Sequence, residues 1–125
     1  MRVASQRGSV TVVTAAIAGV MMVLTLGAAD LGKVLVTRER ARAAADAAAL
    51  AAAQELALGS GGTTPTLQAA DFAGRNGATL TSCVCSRGTL EATVTVDVVV
   101  GHLFLIPGDR KIRADARAVV DLPQA

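Results

Sequence analysis

The sequence predicts an α+β protein: a long N-terminal helix, membrane-spanning in its first part, then a short helix and a small antiparallel sheet of about three strands. Three observations predict this fold. Residues 9–29 carry no formal charge, an alanine-rich stretch without proline continues to residue 58, and the last third contains segments of strict apolar–polar alternation. We expect the soluble part to be small, because only about half of the 125 residues remain once the apolar run and its flank are set aside.

The uncharged run, residues 9–29, follows a basic leader of residues 1–8. As a helix it is about 31 Å long, which matches a bilayer hydrocarbon core of ~30 Å. The run contains no Trp or Tyr, the residues that usually anchor a span at both interfaces, so its depth is poorly fixed. A conventional signal peptide is the alternative, because Gly27-Ala28-Ala29 places small residues at the −3 and −1 positions of a possible cleavage before Asp30. The run nevertheless exceeds the ~7–15 residues typical of a signal-peptide apolar region.

Residues 30–58 form an alanine-rich extension of strong helix formers, so one continuous helix is expected from Ser9 to Leu58. A helix of this length needs lateral partners. Small residues four positions apart allow two helix backbones to approach closely in a membrane. Two such pairs predict helix association; they are Ala15 with Gly19 and Ala28 with Gly32.

Glycine and proline end this helix, and residues 59–66 are predicted to be a linker to a small α+β domain over residues 67–125. Residues 66–73 predict a short helix, with Thr64 or Thr66 as its N-cap and Asn76-Gly77 as its stop.

Three strand-like segments follow, at residues 78–84, 90–100 and 112–120. The last two alternate apolar and polar residues, which predicts antiparallel strands with one buried and one solvated face. Between them, Pro107-Gly108-Asp109 predicts a turn. The preceding apolar patch, Leu103 to Ile106, either fills the core or meets the membrane or a partner.

Catalytic signatures are missing from the sequence, so no enzyme activity and no cofactor are predicted. His102 is the only histidine, and no nucleophile motif, carboxylate pair or phosphate loop accompanies it. Cys83 and Cys85 are too closely spaced for a usual zinc knuckle and lack a second pair, so no metal is expected. Three states are open for this pair: two reduced residues of a strand, a disulfide between the two, or a disulfide bridge to another molecule. The net charge is only +2, and the charged residues are scattered along the chain, which argues against nucleic acid as a partner. No small-molecule substrate is expected.

Asp30 is the first charged residue after the apolar run. Ionisable groups near membrane depth are costly and usually paired. Asp30 is therefore either a buried functional carboxylate or one half of an ion pair with Lys33, three residues later on the helix. The ion pair is the favoured interpretation.

Two stretches resemble a known family. Residues 7–12 (RGSVTV) before the apolar helix, and the block at residues 42–53 (RAAADAAALAAA), resemble the N-terminal region of TadE/TadG-like proteins, minor-pilin-like components of the tight-adherence (Flp-type) pilus system. The likeness is to the short actinobacterial TadE-like group and covers about residues 7–58. It implies peptidase cleavage between Gly8 and Ser9, and association with other pilin-like or Tad components. Val13 departs from the family pattern, which often has Glu at the fifth mature position.

The resemblance predicts a pilin-like structural membrane component of a Flp/Tad pilus or a related secretion apparatus, a single-pass protein of the cell membrane with its C-terminal domain outside the cytoplasm. The basic residues near the span indicate the opposite orientation, because Arg2 and Arg7 precede it and four others follow within about 15 residues. The alternatives are a signal-peptide-secreted small α+β domain, or a membrane-bound accessory subunit outside any filament.

Overall fold

The computed structural model describes residues 4–59 and 64–123 and confirms the α+β architecture. Two helices precede three strands, in the order α1 (Ala4–Leu58), α2 (Pro65–Arg75), β1 (Thr79–Ser86), β2 (Glu91–Val100) and β3 (Arg110–Val119). The strands form one antiparallel sheet in the order β1-β2-β3. Its inner face packs against α2 and the second half of α1.

Helix α1 is continuous over 55 residues, or about 80 Å, because it is rich in strong helix formers and contains no proline. It begins at Ala4, five residues before the predicted start, so part of the predicted leader is helical. Gly59 follows its last residue with a φ of 56°, the left-handed conformation that glycine adopts without steric cost, and its N–H donates to the Glu55 carbonyl. The predicted glycine stop is therefore present.

Helix α2 begins at Pro65, slightly earlier than predicted. Thr64 is the N-cap, and its hydroxyl accepts a hydrogen bond from the Leu67 N–H at 3.3 Å. Pro65 occupies the first turn, where its missing N–H leaves no intrahelical bond unmade. The predicted linker, residues 59–66, is thus partly helical, and its residues 60–63 lie outside the described part of the chain.

The strands match the predicted segments to within two residues at each end. From Glu91↔Val119 to Val100↔Arg110, β2 pairs with β3 in unbroken register, while the pairing of β1 with β2 shifts once, between Leu80 and Ser82. The buried face of β2 is the one that the alternation predicts; its residues are Ala92, Val94, Val96, Val98 and Val100. The opposite face carries charged pairs, with Arg113 on Asp97 and Arg117 on Glu91.

The core lies between α1 and the sheet and is built mainly from alanine and valine. Its alanines on α1 include Ala41, Ala44, Ala45, Ala48, Ala49, Ala52 and Ala53. Small side chains let the helix axis approach the sheet closely. The largest fully buried side chains in the described residues are accordingly only valines, Val94 and Val96. The helical extension, residues 30–58, therefore shares one core with the C-terminal segment.

Candidate membrane anchor and its loop contact

The first half of α1 projects away from the core. None of the residues in its most apolar window, whose mean hydropathy is 2.2, is buried by the rest of the chain. Large apolar side chains such as Val12, Ile17 and Met22 are exposed on every side of it. A helix that is hydrophobic all round is stable only when something apolar surrounds it. By length and composition this helix can cross a membrane, which is consistent with the predicted anchor.

The four small residues predicted to mediate helix association are exposed on this helix. A Cβ atom added at Gly19 or Gly32 would meet no atom within 4 Å, so neither position is covered by the chain itself. A helix turns by about 100° per residue, and Ala28 follows Ala15 by 13 positions, so the two predicted pairs face directions about 140° apart. They cannot both meet one straight partner helix. The association itself stays a prediction.

Asp30 connects the anchor to the C-terminal part of the chain. Its carboxylate is 5% exposed and accepts hydrogen bonds from the backbone N–H groups of Phe104 and Leu105, each at 2.8 Å. The predicted ion pair with Lys33 is wrong, because the Lys33 ammonium lies beyond salt-bridge distance and donates instead to the His102 carbonyl at 2.6 Å. The same ammonium lies 4.5 Å from the centre of the Phe104 ring. Asp30 and Lys33, about one turn apart on α1, thus bind consecutive peptide groups of the loop that joins β2 to β3.

The loop between β2 and β3 divides the apolar patch predicted at Leu103 to Ile106. Leu103 is buried in the protein, whereas Phe104, Leu105 and Ile106 are 61%, 47% and 40% exposed. Leu105 reaches the anchor itself, since its Cδ1 atom lies 3.6 Å from the position that a Cβ would take on Gly27. The patch therefore contributes one residue to the interior and three to the surface beside the apolar run.

This loop contact could not be recognised from residue types. The acceptor on α1 is a carboxylate, but the donors are backbone N–H groups 74 and 75 positions later, which any residue except proline provides. The one local signal is the isolated Asp at the end of an uncharged run. Asp30 is buried, and backbone N–H groups take the place of the side-chain cation that was expected beside it.

Cys83 and Cys85 are joined as a disulfide in the structure, with their Cα atoms 5.6 Å apart. Both are half-buried on the inner side of β1 and pack against the core. His102 is exposed and contributes its carbonyl, not its ring, to the loop contact. Within residues 4–59 and 64–123, no group of three or more His, Cys, Asp or Glu side chains is placed to hold a metal ion.

An exposed apolar helix that continues into the core of a small α+β unit characterises a protein suited to membrane attachment by one N-terminal helix. The family model described as putative Flp pilus-assembly TadE/G-like matches residues 8–55. That segment begins at Gly8 of the predicted processing site and contains both the apolar run and the alanine-rich block. The resemblance to TadE/TadG-like proteins is therefore confirmed over this segment, which supports a role related to Flp pilus assembly. No curated protein and no solved structure matches the chain.

Proposed function

We propose that the protein is a pilin-like structural component of a Flp/Tad-type pilus or a related secretion apparatus, held in the cell membrane by the first half of α1. The observation that carries the proposal is that the family match, residues 8–55, coincides with α1 almost from end to end. The first half of this helix is apolar and exposed, and the second half packs against the sheet in the core of the folded domain. One continuous helix thus joins anchor and domain without a flexible linker.

We assign the protein an assembly role without catalysis, cofactor or small-molecule substrate. Its partners in this proposal are other pilin-like or Tad components that pack against the exposed apolar helix. The pair Ala15 and Gly19 provides one close-approach surface, and Ala28 with Gly32 provides another on a different side. With Val13 in place of the acidic residue common in the family, helix packing here depends on these small residues instead of on a carboxylate at that position.

The domain is proposed to lie outside the cytoplasm. The family resemblance favours this orientation, and the disulfide between Cys83 and Cys85 supports it, because such bonds persist in oxidising compartments. Thiol labelling in intact cells, after reduction, tests the orientation. A membrane-impermeant reagent should reach Cys83 and Cys85 without lysis. Labelling that requires lysis would reverse the orientation, in agreement with the distribution of basic residues around the span.

The test of anchoring and processing is the intact mass of the protein recovered from fractionated cells. We expect it in the membrane fraction and, if the leader is removed, with Ser9 as its first residue. A soluble form that begins at Asp30 would contradict the proposal and support secretion by a signal peptide. That form would also lack Gly27, which contacts the loop in the folded protein.

The test of assembly is Gly19→Leu, with Ala18→Leu as the matched control. Both variants keep the span apolar and add similar bulk, but the two side chains point about 100° apart on the helix. Gly19→Leu should reduce crosslinking or co-purification of partners from detergent-extracted membranes, because it separates the two backbones. Ala18→Leu should reduce it less. Equal recovery from wild type and Gly19→Leu would remove the case for association through that face.

A further inference from the structure

We propose that the exposed residues Phe104, Leu105 and Ile106, here called the loop tip, enter the edge of the bilayer beside the span and form a second lipid contact. This inference rests on the membrane placement of α1 proposed above. Its occupant is the lipid bilayer, because the loop tip is continuous with the apolar surface of the span. Leu105, Ile106, Gly27 and Leu31 line one shallow apolar groove of about 250 Å³ between loop and helix.

The position of the loop tip follows from its contacts with α1. Leu105 lies against Gly27, which is two residues inside the apolar run, and the peptide N–H groups of the loop are bound by Asp30, the first residue beyond it. At about 1.5 Å per residue, Gly27 lies roughly 3 Å inside the end of the span. If residues 9–29 fill the hydrocarbon core, Leu105 is therefore held at its boundary.

The polar groups of the loop are arranged as membrane contact requires. Exposed peptide groups are costly at membrane depth unless they are hydrogen-bonded within the protein. The N–H groups of Phe104 and Leu105 donate to Asp30, and the His102 carbonyl accepts from Lys33. Lys33 can keep its ammonium in the headgroup region while its alkyl stem lies along apolar surface. The loop therefore presents apolar side chains to its surroundings while helix side chains satisfy these peptide groups.

The loop tip would perform a task that the span cannot. The sequence contains no Trp or Tyr and only two Phe residues, so the span lacks the aromatic residues that normally fix its depth. The loop brings Phe104 to the end of the span from a site 74 positions after Asp30. Contact on one side of α1 would also fix which side of the folded domain faces the membrane.

The absence of Trp and Tyr makes the experiment direct, because one introduced Trp is the sole strong emitter. Full-length Phe104→Trp and Ile106→Trp are reconstituted separately into phosphatidylcholine vesicles with or without bromine on the acyl chains, at a low protein-to-lipid ratio. Bromine quenches a Trp that it contacts. Met21→Trp, within the span, reports insertion. Phe72→Trp is the matched control for Phe104→Trp, since it makes the same change on α2.

The control site, Phe72, is distant from the apolar run, because its neighbour Ala73 on α2 is buried in the core with α1 residues from Ala41 onward. Gly77, just beyond α2, lies beside the Arg40 side chain, 11 residues past Ala29 on α1 and hence about 16 Å beyond the span. We expect brominated lipid to remove most of the emission of Phe104→Trp and Ile106→Trp, as it does for Met21→Trp, and to leave that of Phe72→Trp nearly unchanged.

Two results would overturn the inference, and they are distinguishable. If Met21→Trp is quenched but neither loop variant is quenched more than Phe72→Trp, the anchor stands, and the loop tip faces water or a protein partner. If Met21→Trp is also unquenched, the membrane placement fails and the inference fails with it.

The role of Asp30 in holding the loop is tested in the same vesicles. Asp30→Ala combined with Phe104→Trp should weaken the quenching, because the released N–H groups of the loop would favour water over lipid. Asp46→Ala combined with Phe104→Trp is the control, since Asp46 is an exposed carboxylate farther along α1. Equal quenching in both double variants would show that Asp30 does not set the depth of the loop.

Discussion

Replacing a core alanine of α1 with leucine should destabilise the folded domain, and Ala52→Leu is the clearest case. Ala52 is fully buried within the core shared by α1 and the sheet. Leucine adds three carbon atoms at a site without solvent-accessible space, and such overpacking typically costs about 1–3 kcal/mol in the free energy of unfolding. For a domain of 60–100 residues, each kcal/mol lowers the melting temperature by roughly 4–8 °C. Ala49, also buried, should behave in the same way.

Ala43→Leu is the matched control, because Ala43 is exposed on the same helix. Alanine and leucine are both strong helix formers, so a surface exchange should change stability by no more than about 0.5 kcal/mol. Thermal unfolding of the detergent-solubilised chain, followed by far-ultraviolet circular dichroism, gives the melting temperatures. Equal melting temperatures for Ala52→Leu and Ala43→Leu would refute the assignment of the alanine-rich face to an intramolecular core. That face would then be free to pack against another subunit.

Two further predictions concern the sheet. Val96→Ala should lower the free energy of unfolding by about 1–3 kcal/mol, because it leaves a cavity beneath α1, whereas Val99→Ala on the exposed face should have little effect; similar melting temperatures for both would contradict the observed strand faces. Hydrogen bonds from Arg113 hold the pKa of Asp97 below its ordinary value of 3.8. The stability from this pair is therefore present above about pH 4 and lost as the pH falls through the lowered pKa. Melting curves of wild type and Asp97→Asn should differ at pH 7 and converge in acid; a constant difference would exclude this linkage.

Short-range patterns predict the elements of this fold well. A run without charge, a stretch of helix formers and two segments of period two are local properties, and each depends on backbone geometry that neighbouring residues determine. The stop at Gly59 and the cap at Thr64 belong to the same class, because a glycine or a hydroxyl acts within one helical turn. These signals, and the block that resembles TadE/TadG-like proteins, are properties of the amino-acid sequence alone.

Only the tertiary structure shows what the alanine-rich half of α1 packs against and what Asp30 binds. Alanine favours a helix wherever that helix packs, so its abundance in residues 42–53 could not show whether the partner was another subunit or the chain's own sheet. Asp30 could pair with a nearby cation or with distant backbone groups, and the folded chain brings Phe104 and Leu105 to it. Backbone N–H groups have no signature in the sequence, because nearly every residue has one. Only the fold places these groups beside the end of the apolar run.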